Sequence, residues 1–394
     1  MKWFEEPGLA KLTAAIEASG GSLRLVGGCV RDYVMGRSAK ELDAATTLTP
    51  DVMSKVAQAA GFKVIPTGID HGTVTIVLPE RTLEVTTLRK DTACDGRHAE
   101  VAYTNSWEED AARRDFTINA LYMDKQGTIY DYHHGKQDIA THSVRFIGDA
   151  SQRIEEDGLR ILRFYRFLAT HGKASVDADA QEACIAKRAM LAALSGERIA
   201  QEMRKLLTAA NPLYSLEQMH AAEIDTLVTH ASFQLASMPL LMACEQREHL
   251  APDWAVRLLA IIDVSSAQRV TEYVSARWKL SNKDADALRL LAASILLSDE
   301  DAPIAHKRYL RVHGRAAYIR LLMLSAAHGL LSRLDPWLTL ANTWVVPEFP
   351  VTSKALMDLG YQGKALGDAL RQLEQAWEAS EYMLDAEALL KTIA

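Results

Sequence analysis

The sequence has few cysteines, and they are scattered along the chain. The four cysteines form no CxxC pair, so neither a zinc site nor a disulfide framework is predicted. No uninterrupted apolar run reaches the roughly 18 residues of a membrane span. A GxxxxGK[ST] motif is also missing, and the second half has no His-Asp doublet. These absences argue against a P-loop nucleotide site and against an attached metal-dependent phosphohydrolase domain.

The composition is that of a soluble globular protein. Of the 394 residues, 48% are hydrophobic and 24% are charged. This length predicts about two to four domains. The net charge of −7 argues mildly against a nucleic-acid coat protein but not against an RNA enzyme, because local basic patches bind phosphate. The first residues, MKWFEEPGLAKL, carry acids where a signal peptide needs an apolar core, so we expect a cytoplasmic protein.

The chain predicts a small α+β head followed by a long helical remainder. Residues 73–78 and 83–88 are rich in β-branched residues and predict two strands, and residues 120–131 predict a closing hairpin. Residues 89–107 are polar without clear periodicity, which predicts a mobile loop. From about residue 148, strand signals nearly vanish and Ala, Leu, Glu and Arg dominate, as in a helical assembly.

A glycine pair stands between the first predicted strand and the helix that follows it. Gly27 and Gly28 let backbone N–H groups approach a phosphate closely, and Arg31 adds a positive charge nearby. Taken alone, the pair is better explained by a tight strand–helix turn with a surface arginine, because a glycine pair is a weak motif. The motif therefore gains weight only from its neighbours.

Two acids alternate in the segment after this helix. On a strand, Glu41 and Asp43 would point to the same face, and two adjacent carboxylates repel each other unless a cation lies between them. Mg²⁺ is the natural candidate because it prefers oxygen ligands. Glu84, in the predicted strand 83–88, is a candidate third carboxylate. Each acid alone would more often be a solvated surface charge.

Two further segments carry charge in regular patterns. In the segment 113–120, arginines suit triphosphate oxygens and Asp115 can accept hydrogen bonds from ribose hydroxyls. The segment 155–167 predicts one helix with a charged residue at every third position and a buried stripe of Ile161, Phe164, Tyr165 and Leu168. An Asp–Arg pair one turn apart on such a helix can read a base edge. The charged residues in question are Asp157, Arg160, Arg163 and Arg166. A third segment, 195–207, predicts an amphipathic helix capped by Ser195 with a structural role.

Seven strings in this order and spacing resemble the class II tRNA nucleotidyltransferase and bacterial poly(A) polymerase family. Their order and spacing match over roughly residues 22–210, and the strings are far more specific together than singly. The strings are LVGGCVRDYVMGR (25–37), ELDAATTLTPD (41–51), GIDHGTVTIV (68–77), LEVTTLR (83–89), EEDAARRDFTINAL (108–121), RIEEDGLRILRFYRF (153–167) and SGERIAQEMRKLL (195–207).

The resemblance implies a fold, a reaction and a set of site residues. The expected fold is a nucleotidyltransferase (polymerase beta-like) head with a small mixed sheet over residues 1–147, a helical neck that recognises the base over 148–210, and a helical body and tail that bind tRNA over 211–394. The expected reaction is addition of C and A to the tRNA 3′ end from CTP and ATP. Glu41 and Asp43 would bind Mg²⁺, with Glu84 as a further catalytic acid. The implied nucleotide-binding residues are Gly27, Gly28, Arg31, Arg114, Asp115, Asn119, Asp157, Arg160, Arg163 and Arg166, with Asp157 and Arg160 acting as the template for C or A.

One departure from the family pattern keeps alternatives open. The family metal motif usually has two aspartates, and here the first acid is Glu41, whose extra methylene strains octahedral Mg²⁺ geometry. A slowed enzyme and a non-catalytic RNA-binding relative are both compatible with this change. A poly(A) polymerase, or an enzyme adding only CC or only A, would share every string. The acid-balanced last residues, LEQAWEASEYMLDAEALLKTIA, favour tRNA end addition over poly(A) synthesis.

Overall fold

The structure is a computed structural model that describes residues 2–39, 41–66, 68, 72–94, 99–172 and 176–393. Residues 69–71 and 95–98, which belong to segments singled out above, lie outside the described residues. Residue contacts divide the chain into two compact units, Met1–Val228 and Thr229–Ala394. The finer division at residues 147 and 210 stays a prediction.

The first unit contains a seven-stranded sheet of mixed direction, which confirms the predicted head architecture. The strand order is β3-β4-β5-β2-β1-β8-β9, and among these neighbours only β2 and β5 run parallel. The strands are β1 Leu23–Val26, β2 Asp43–Thr46, β3 Lys63–Ile65, β4 Thr73–Val77, β5 Thr82–Thr87, β8 Leu121–Met123 and β9 Ile129–Asp131. The expected closing hairpin is the β8–β9 pair, and the parallel β2–β5 pairing brings two candidate acid-bearing segments side by side.

The loop predicted over residues 89–107 is instead largely a two-stranded ribbon, so that prediction was wrong. Strands β6 (Arg89–Cys94) and β7 (Ala99–Tyr103) pair antiparallel, with an irregular register between Asp91 and Cys94. The pattern was missed because a two-stranded ribbon is held by backbone hydrogen bonds and need not bury one face. It therefore lacks the alternation of apolar residues that marks a half-buried strand.

The sheet is followed by helices, as expected. The helices up to the end of the first unit are α1 Lys2–Glu5, α2 Pro7–Ala18, α3 Gly28–Val34, α4 Pro50–Ala59, α5 Trp107–Ala112, α6 Gly135–Thr141, α7 Ala150–Glu156, α8 Arg160–His171, α9 Ala178–Lys187, α10 Gly196–Leu207, α11 Leu213–Ala221 and α12 Ile224–Thr229. Short 3₁₀ helices span Thr117–Asn119 and Arg188–Ala193. The predicted stripe Ile161, Phe164, Tyr165 and Leu168 on α8 is buried.

The segment 155–167 is not one helix, which corrects the prediction. Helix α7 ends at Glu156, Asp157 has extended backbone angles (φ −156°, ψ 104°), and α8 begins at Arg160. The Asp157 side chain accepts a hydrogen bond from the Leu159 N–H at 3.1 Å. Aspartate bonded to nearby backbone in this way competes with helical hydrogen bonding, and glycine next to it weakens the helix further. Asp157 therefore precedes α8 rather than lying on it.

The second unit is helical throughout its described regular structure. Its helices are α13 Met238–Arg247, α14 Trp254–Ala260, α15 Ala267–Arg277, α16 Asn282–Ala293, α17 Pro303–Ala327, α18 Asp335–Thr343, α19 Ser353–Asp358, α20 Gly363–Ala379 and α21 Ala386–Leu390, with 3₁₀ turns at Leu235–Ser237 and Val264–Ser266. Towards its end, Leu356, Leu373, Trp377 and Leu389 are buried in one apolar cluster. Within the described part of the chain, no helix combines the length and apolarity needed to span a bilayer.

Candidate active site

The acids Glu41 and Asp43 lie on the same side of the chain, as the alternation predicted. Glu41 immediately precedes β2 and Asp43 is its first residue, and both face solvent while Leu42 between them is only 3% exposed. In the parallel pairing of β2 with β5, Asp43 stands opposite Glu84, which also faces solvent. The structure therefore brings the three predicted acids together at two central, adjacent strands of the sheet.

These acids repel one another. Loss of water around Asp43 and the negative charges of Glu84 and Glu41 raise the pKa of its carboxyl above the usual value, against the lowering effect of Arg114. Among the described residues, no cluster of three or more His, Cys, Asp or Glu side chains is close enough to form a metal cage by itself. The excess negative charge with oxygen ligands nevertheless fits a divalent cation whose remaining ligands come from phosphate and water.

Gly27 forms the turn between β1 and α3 with a backbone conformation that side chains rarely adopt (φ 76°). A Cβ atom at this position would lie 3.8 Å from the carbonyl oxygen of Asn119 and 3.9 Å from Nη1 of Arg114. One residue later, a Cβ at Gly28 would lie 3.6 Å from Nη2 of Arg31. The bare backbone of this turn is therefore bordered by two guanidinium groups, as a phosphate site requires.

A continuous chain of hydrogen bonds runs from Arg31 to α8. Arg31 Nη1 donates to Asn119 Oδ1 at 2.7 Å, and Asn119 Nδ2 donates to Asp115 Oδ1 at 3.3 Å. On the far side, Arg163 Nε donates to Asp115 Oδ2 at 2.7 Å. Burial alone would raise the pKa of Asp115, but the Arg163 charge and these hydrogen bonds lower it below the usual value. Asp115 is therefore an ionised acceptor.

The series of polar contacts continues to helix α10 through Glu202, a residue that the sequence analysis did not single out. Glu202 is 3% exposed and accepts a hydrogen bond from Arg166 Nε at 2.5 Å, while Arg163 Nη1 lies 3.8 Å from its Oε1. A signal was present in the sequence. Glu202 lies on the buried face of α10, three residues after Ile199 and four before Leu206, where an apolar residue is expected.

Phe167 gathers three of the predicted arginines around one ring. The guanidinium carbons of Arg31, Arg163 and Arg166 lie 5.5, 5.5 and 3.8 Å from its centroid. The ring is only 3% exposed, so these cation–π contacts are partly desolvated and orient the guanidinium groups. The strand–helix turn of the sheet and helix α8 thus contribute to one basic cluster.

Arg114 is held by a buried pair that the sequence analysis also missed. Arg114 Nε donates to the Tyr122 hydroxyl at 3.0 Å, and its Nη2 donates to Asp110 Oδ2 at 3.0 Å. Burial would raise the pKa of Asp110, but Arg114, Arg113 and the Tyr122 hydrogen bond lower it to about 2. Asp110 is one of three consecutive acids that begin the string EEDAARRD, and nothing in the local sequence indicates which of the three is buried.

Asp157 and Arg160, predicted as a base-reading pair, are not bonded to each other here. Asp157 Oδ2 accepts from Arg198 Nη2 at 2.6 Å. Arg160 pairs with Glu156 and donates to the Arg153 carbonyl at 2.6 Å. Burial alone would lower the pKa of Arg163, but the charges of Asp115, Glu202 and, to a smaller extent, Asp157 raise it above the usual value. Ser195 stands at the N-cap of α10 but makes no side-chain capping hydrogen bond, contrary to expectation.

His171, at the end of α8, is expected to make the stability of the folded protein depend on pH. Burial and the Arg31 charge outweigh Asp32 and lower its pKa from 6.5 to about 4, with the side chain 9% exposed. Between pH 6.5 and about 4, His171 therefore binds a proton in the unfolded chain but not in the folded protein. The resulting stability is complete above pH 6.5 and is lost as the pH falls towards 4, by at most about 3 kcal/mol.

The measurement is urea unfolding of the wild type and of His171→Gln at pH 7.5 and pH 4.5. The free energy of unfolding should fall more steeply with acid in the wild type than in His171→Gln, which has no titrating group here. Parallel pH dependences in both proteins would contradict a buried neutral His171.

Comparisons with known proteins show which family the chain resembles. The family model described as "Poly A polymerase head domain" matches residues 23–145, and the one described as "Probable RNA and SrmB- binding site of polymerase A" matches residues 175–224. The Danio rerio protein "CCA tRNA nucleotidyltransferase 1, mitochondrial" is 33% identical over 404 residues, which cover 98% of this chain and 90% of the relative. The CCA-adding enzyme of Geobacillus stearothermophilus is 35% identical over 289 residues, or 71% of this chain and 66% of the relative.

A solved structure extends the likeness to the whole fold. The CCA-adding enzyme of Bacillus stearothermophilus in complex with CTP superposes with a TM-score of 0.77 at 28% identity, covering 96% of this chain and 93% of that one. The identity with the Danio rerio protein spans nearly the full length of both chains. The chain therefore belongs to the CCA tRNA nucleotidyltransferase family, which shares its head domain with poly(A) polymerases, and it is a nucleotidyltransferase.

Proposed function

We propose that this enzyme completes the 3′ end of tRNA by adding C and A residues from CTP and ATP. The observation that carries the proposal is the placement of Asp43 among Glu41, Glu84 and Arg114, with Gly27 next to the same arginine. Such a site combines a negatively charged place for a cation with a positively charged cradle for a triphosphate. The names of the two relatives and the CTP complex of the Bacillus stearothermophilus enzyme support the choice of substrates.

The proposed reaction is in-line attack by the RNA 3′-hydroxyl on the α-phosphate, with pyrophosphate leaving. Glu41 and Asp43 would hold Mg²⁺, and Glu84 is placed to serve as a further ligand or to accept the hydroxyl proton. A cation bound there would lower the pKa of the attacking hydroxyl and neutralise charge on the phosphates. Arg31 and Arg114 would bind triphosphate oxygens on either side of the glycine turn.

Asp115 is proposed to fix the ribose. Its carboxylate is ionised and held by Asn119 and Arg163, so its orientation is set before the nucleotide arrives. A fixed acceptor of this kind suits a ribose hydroxyl, because the ordering cost is already met by the protein. Arg163 therefore acts on the sugar through Asp115 and remains available, on the edge of the basic cluster, for the base.

Asp157 and Arg160 are proposed to read the base edge. Their present partners, Arg198 for Asp157 and Glu156 for Arg160, must then be exchanged in part for the base. Asp157→Ala is expected to lower the preference for CTP over UTP by about 10-fold or more, because the exocyclic amine of cytosine loses its acceptor. Competing incorporation of CTP and UTP into a tRNA lacking its 3′ end measures this ratio.

The partner of Asp157 supplies the control for that experiment. Arg198→Gln removes the ion pair but keeps the carboxylate, so it should preserve the CTP preference better than Asp157→Ala does. An Asp157→Ala enzyme that rejects UTP as strongly as the wild type would exclude Asp157 as a base reader.

Two alternatives each have an observation in their favour. The match to a poly(A) polymerase head favours poly(A) synthesis, and the replacement of an aspartate by Glu41 favours a non-catalytic relative. Purified protein incubated with labelled CTP, ATP and tRNA lacking its 3′ end separates them. Addition of C and then A supports the proposed function, long A tracts support a poly(A) polymerase, and binding without incorporation supports an RNA-binding pseudoenzyme.

The location in the cell and the tRNA-binding region are proposals of the same kind. We propose a cytoplasmic location, whereas the Danio rerio relative carries "mitochondrial" in its name. Residues 211–394 are proposed to bind the body of the tRNA. Cell fractionation tests the first proposal, and protection of these helices from hydrogen exchange by tRNA tests the second.

A further inference from the structure

We infer that Asp110 is a positioning residue that sets the direction of Arg114 towards the nucleotide site and holds the base of the β6–β7 ribbon with the same carboxylate. The inference rests on the proposed function, because it takes Arg114 as a triphosphate ligand. Asp110 itself lies behind Arg114 and is only 1% exposed, so it has no direct access to substrate.

The two oxygens of Asp110 serve different neighbours. Oδ2 accepts hydrogen bonds from Arg114 Nη2 at 3.0 Å and from the Tyr122 hydroxyl at 2.7 Å. Oδ1 accepts from the Arg89 backbone N–H at 3.2 Å and from Arg113 Nε and Nη2 at 2.9 and 2.6 Å. Arg113 Nε also reaches the Arg89 carbonyl at 3.1 Å. One side of the carboxylate thus orients Arg114, and the other fixes the first residue of β6.

Only an ionised carboxylate fits this position. Every contact is a donor aimed at Asp110, five in all, and a carboxylate accepts hydrogen bonds on both oxygens without donating. Asparagine has nearly the same shape, but its amide nitrogen would face either Arg114 and Tyr122 or Arg113 and Arg89. Two donors facing each other in a buried site cannot both be satisfied.

The direction of Arg114 matters because of what lies in front of it. Its Nη1 borders the Gly27 turn, and its charge acts on Asp43. Without Asp110, the guanidinium would be drawn towards the acid cluster that contains Asp43, on which its charge already acts. Arg114 would then compete with the cation there and leave the glycine turn. Asp110 thus keeps the positive and negative halves of the site apart.

The test is calorimetric titration of the full-length protein with CTP in the presence of MgCl₂. Asp110→Asn is expected to weaken CTP binding by about 10-fold or more, the scale of one charge-assisted contact. Tyr122→Phe removes the hydroxyl that bonds both Arg114 Nε and Asp110 Oδ2, and should weaken CTP binding by roughly threefold. In the Asp110→Asn/Tyr122→Phe double variant the two losses should not add, because both act through Arg114.

Asp225→Asn is the matched control. Asp225 is also a buried carboxylate (1% exposed), which accepts from the Thr226 N–H at 2.9 Å and lies 2.8 Å from His220 Nδ1. This variant should lose stability but bind CTP as the wild type does. The inference would be overturned by Asp110→Asn binding CTP within about twofold of the wild type. If Asp110→Asn does not fold, unchanged CTP binding by Tyr122→Phe overturns it instead.

Calorimetry also separates this inference from the proposed function. CTP binding needs no acceptor RNA and no turnover, so a wild type that binds CTP but adds neither C nor A contradicts the proposed function alone. The comparison between wild type and Asp110→Asn then still decides whether Asp110 positions Arg114. In an active wild type, the KM for CTP should rise in Asp110→Asn while the KM for tRNA stays unchanged, which a general loss of stability would not produce.

Discussion

Asp43→Asn is expected to reduce nucleotide incorporation by on the order of 10²–10³-fold or more, with little change in the fold. Asp43 faces solvent at the start of β2, and its carboxylate is repelled by the negative charges of Glu84 and Glu41. Removing its charge should leave the sheet intact or slightly more stable, because the repulsion between Asp43 and the two neighbouring acids is lost. The loss should therefore appear in the rate of the chemical step, measured by single-turnover incorporation of labelled CTP.

Asp51→Asn is the matched control for this prediction. Asp51 is an exposed acid in the first turn of α4, beyond the other end of β2. Its replacement should leave the rate within about twofold of the wild type, as for most surface substitutions. If Asp43→Asn retains the single-turnover rate of Asp51→Asn, the acids are not the place where the reaction occurs.

The second large effect is expected at Arg163. Arg163→Met leaves Asp115 and Glu202 without a shared counter-charge in a largely buried place, where their side chains are 11% and 4% exposed. Breaking such a pair from one side costs about 2–5 kcal/mol of stability. Because Asp115 also loses its orientation, the KM for both CTP and ATP should rise by about 10–100-fold.

Arg320→Met, in the second unit, is the matched control for this prediction. It removes an arginine that is paired with an aspartate, since Arg320 Nε lies 2.8 Å from Asp253 Oδ2. It should lower stability without changing the KM for CTP or ATP. Urea unfolding and steady-state incorporation measure the two quantities for each variant. Equal nucleotide KM values in Arg163→Met and Arg320→Met would show that Arg163 is purely structural.

Several features of the fold followed from local patterns because local physics determines them. The strands β4 and β5 show regular alternation of buried and exposed residues, and the acids on either side of Leu42 share a face because side chains alternate on extended chain. The buried stripe of α8 follows helical spacing for the same reason. Such periodicities need no knowledge of the partner surface.

The remaining features depend on tertiary contacts that no local pattern encodes. The β6–β7 ribbon depends on the pairing of two segments, and its first strand, RKDTAC, shows no alternation of apolar residues. The break at Asp157 reflects competition between a side-chain hydrogen bond and the helix, which spacing alone cannot reveal. Glu202 and Asp110 are buried with partners from other segments: Arg166 of α8 bonds Glu202, and the Arg89 backbone N–H and the Tyr122 hydroxyl bond Asp110. Their importance becomes visible once the elements are assembled.

The central claim is that Glu41 and Asp43 hold a divalent cation beside the bound nucleotide. Electron paramagnetic resonance of Mn²⁺, used in place of Mg²⁺ in the presence of CTP, tests it directly by comparing the wild type with the Glu41→Gln/Asp43→Asn double variant. We expect tightly bound Mn²⁺ in the wild type and its loss in the double variant. Equal amounts of bound Mn²⁺ in the two proteins would contradict the account.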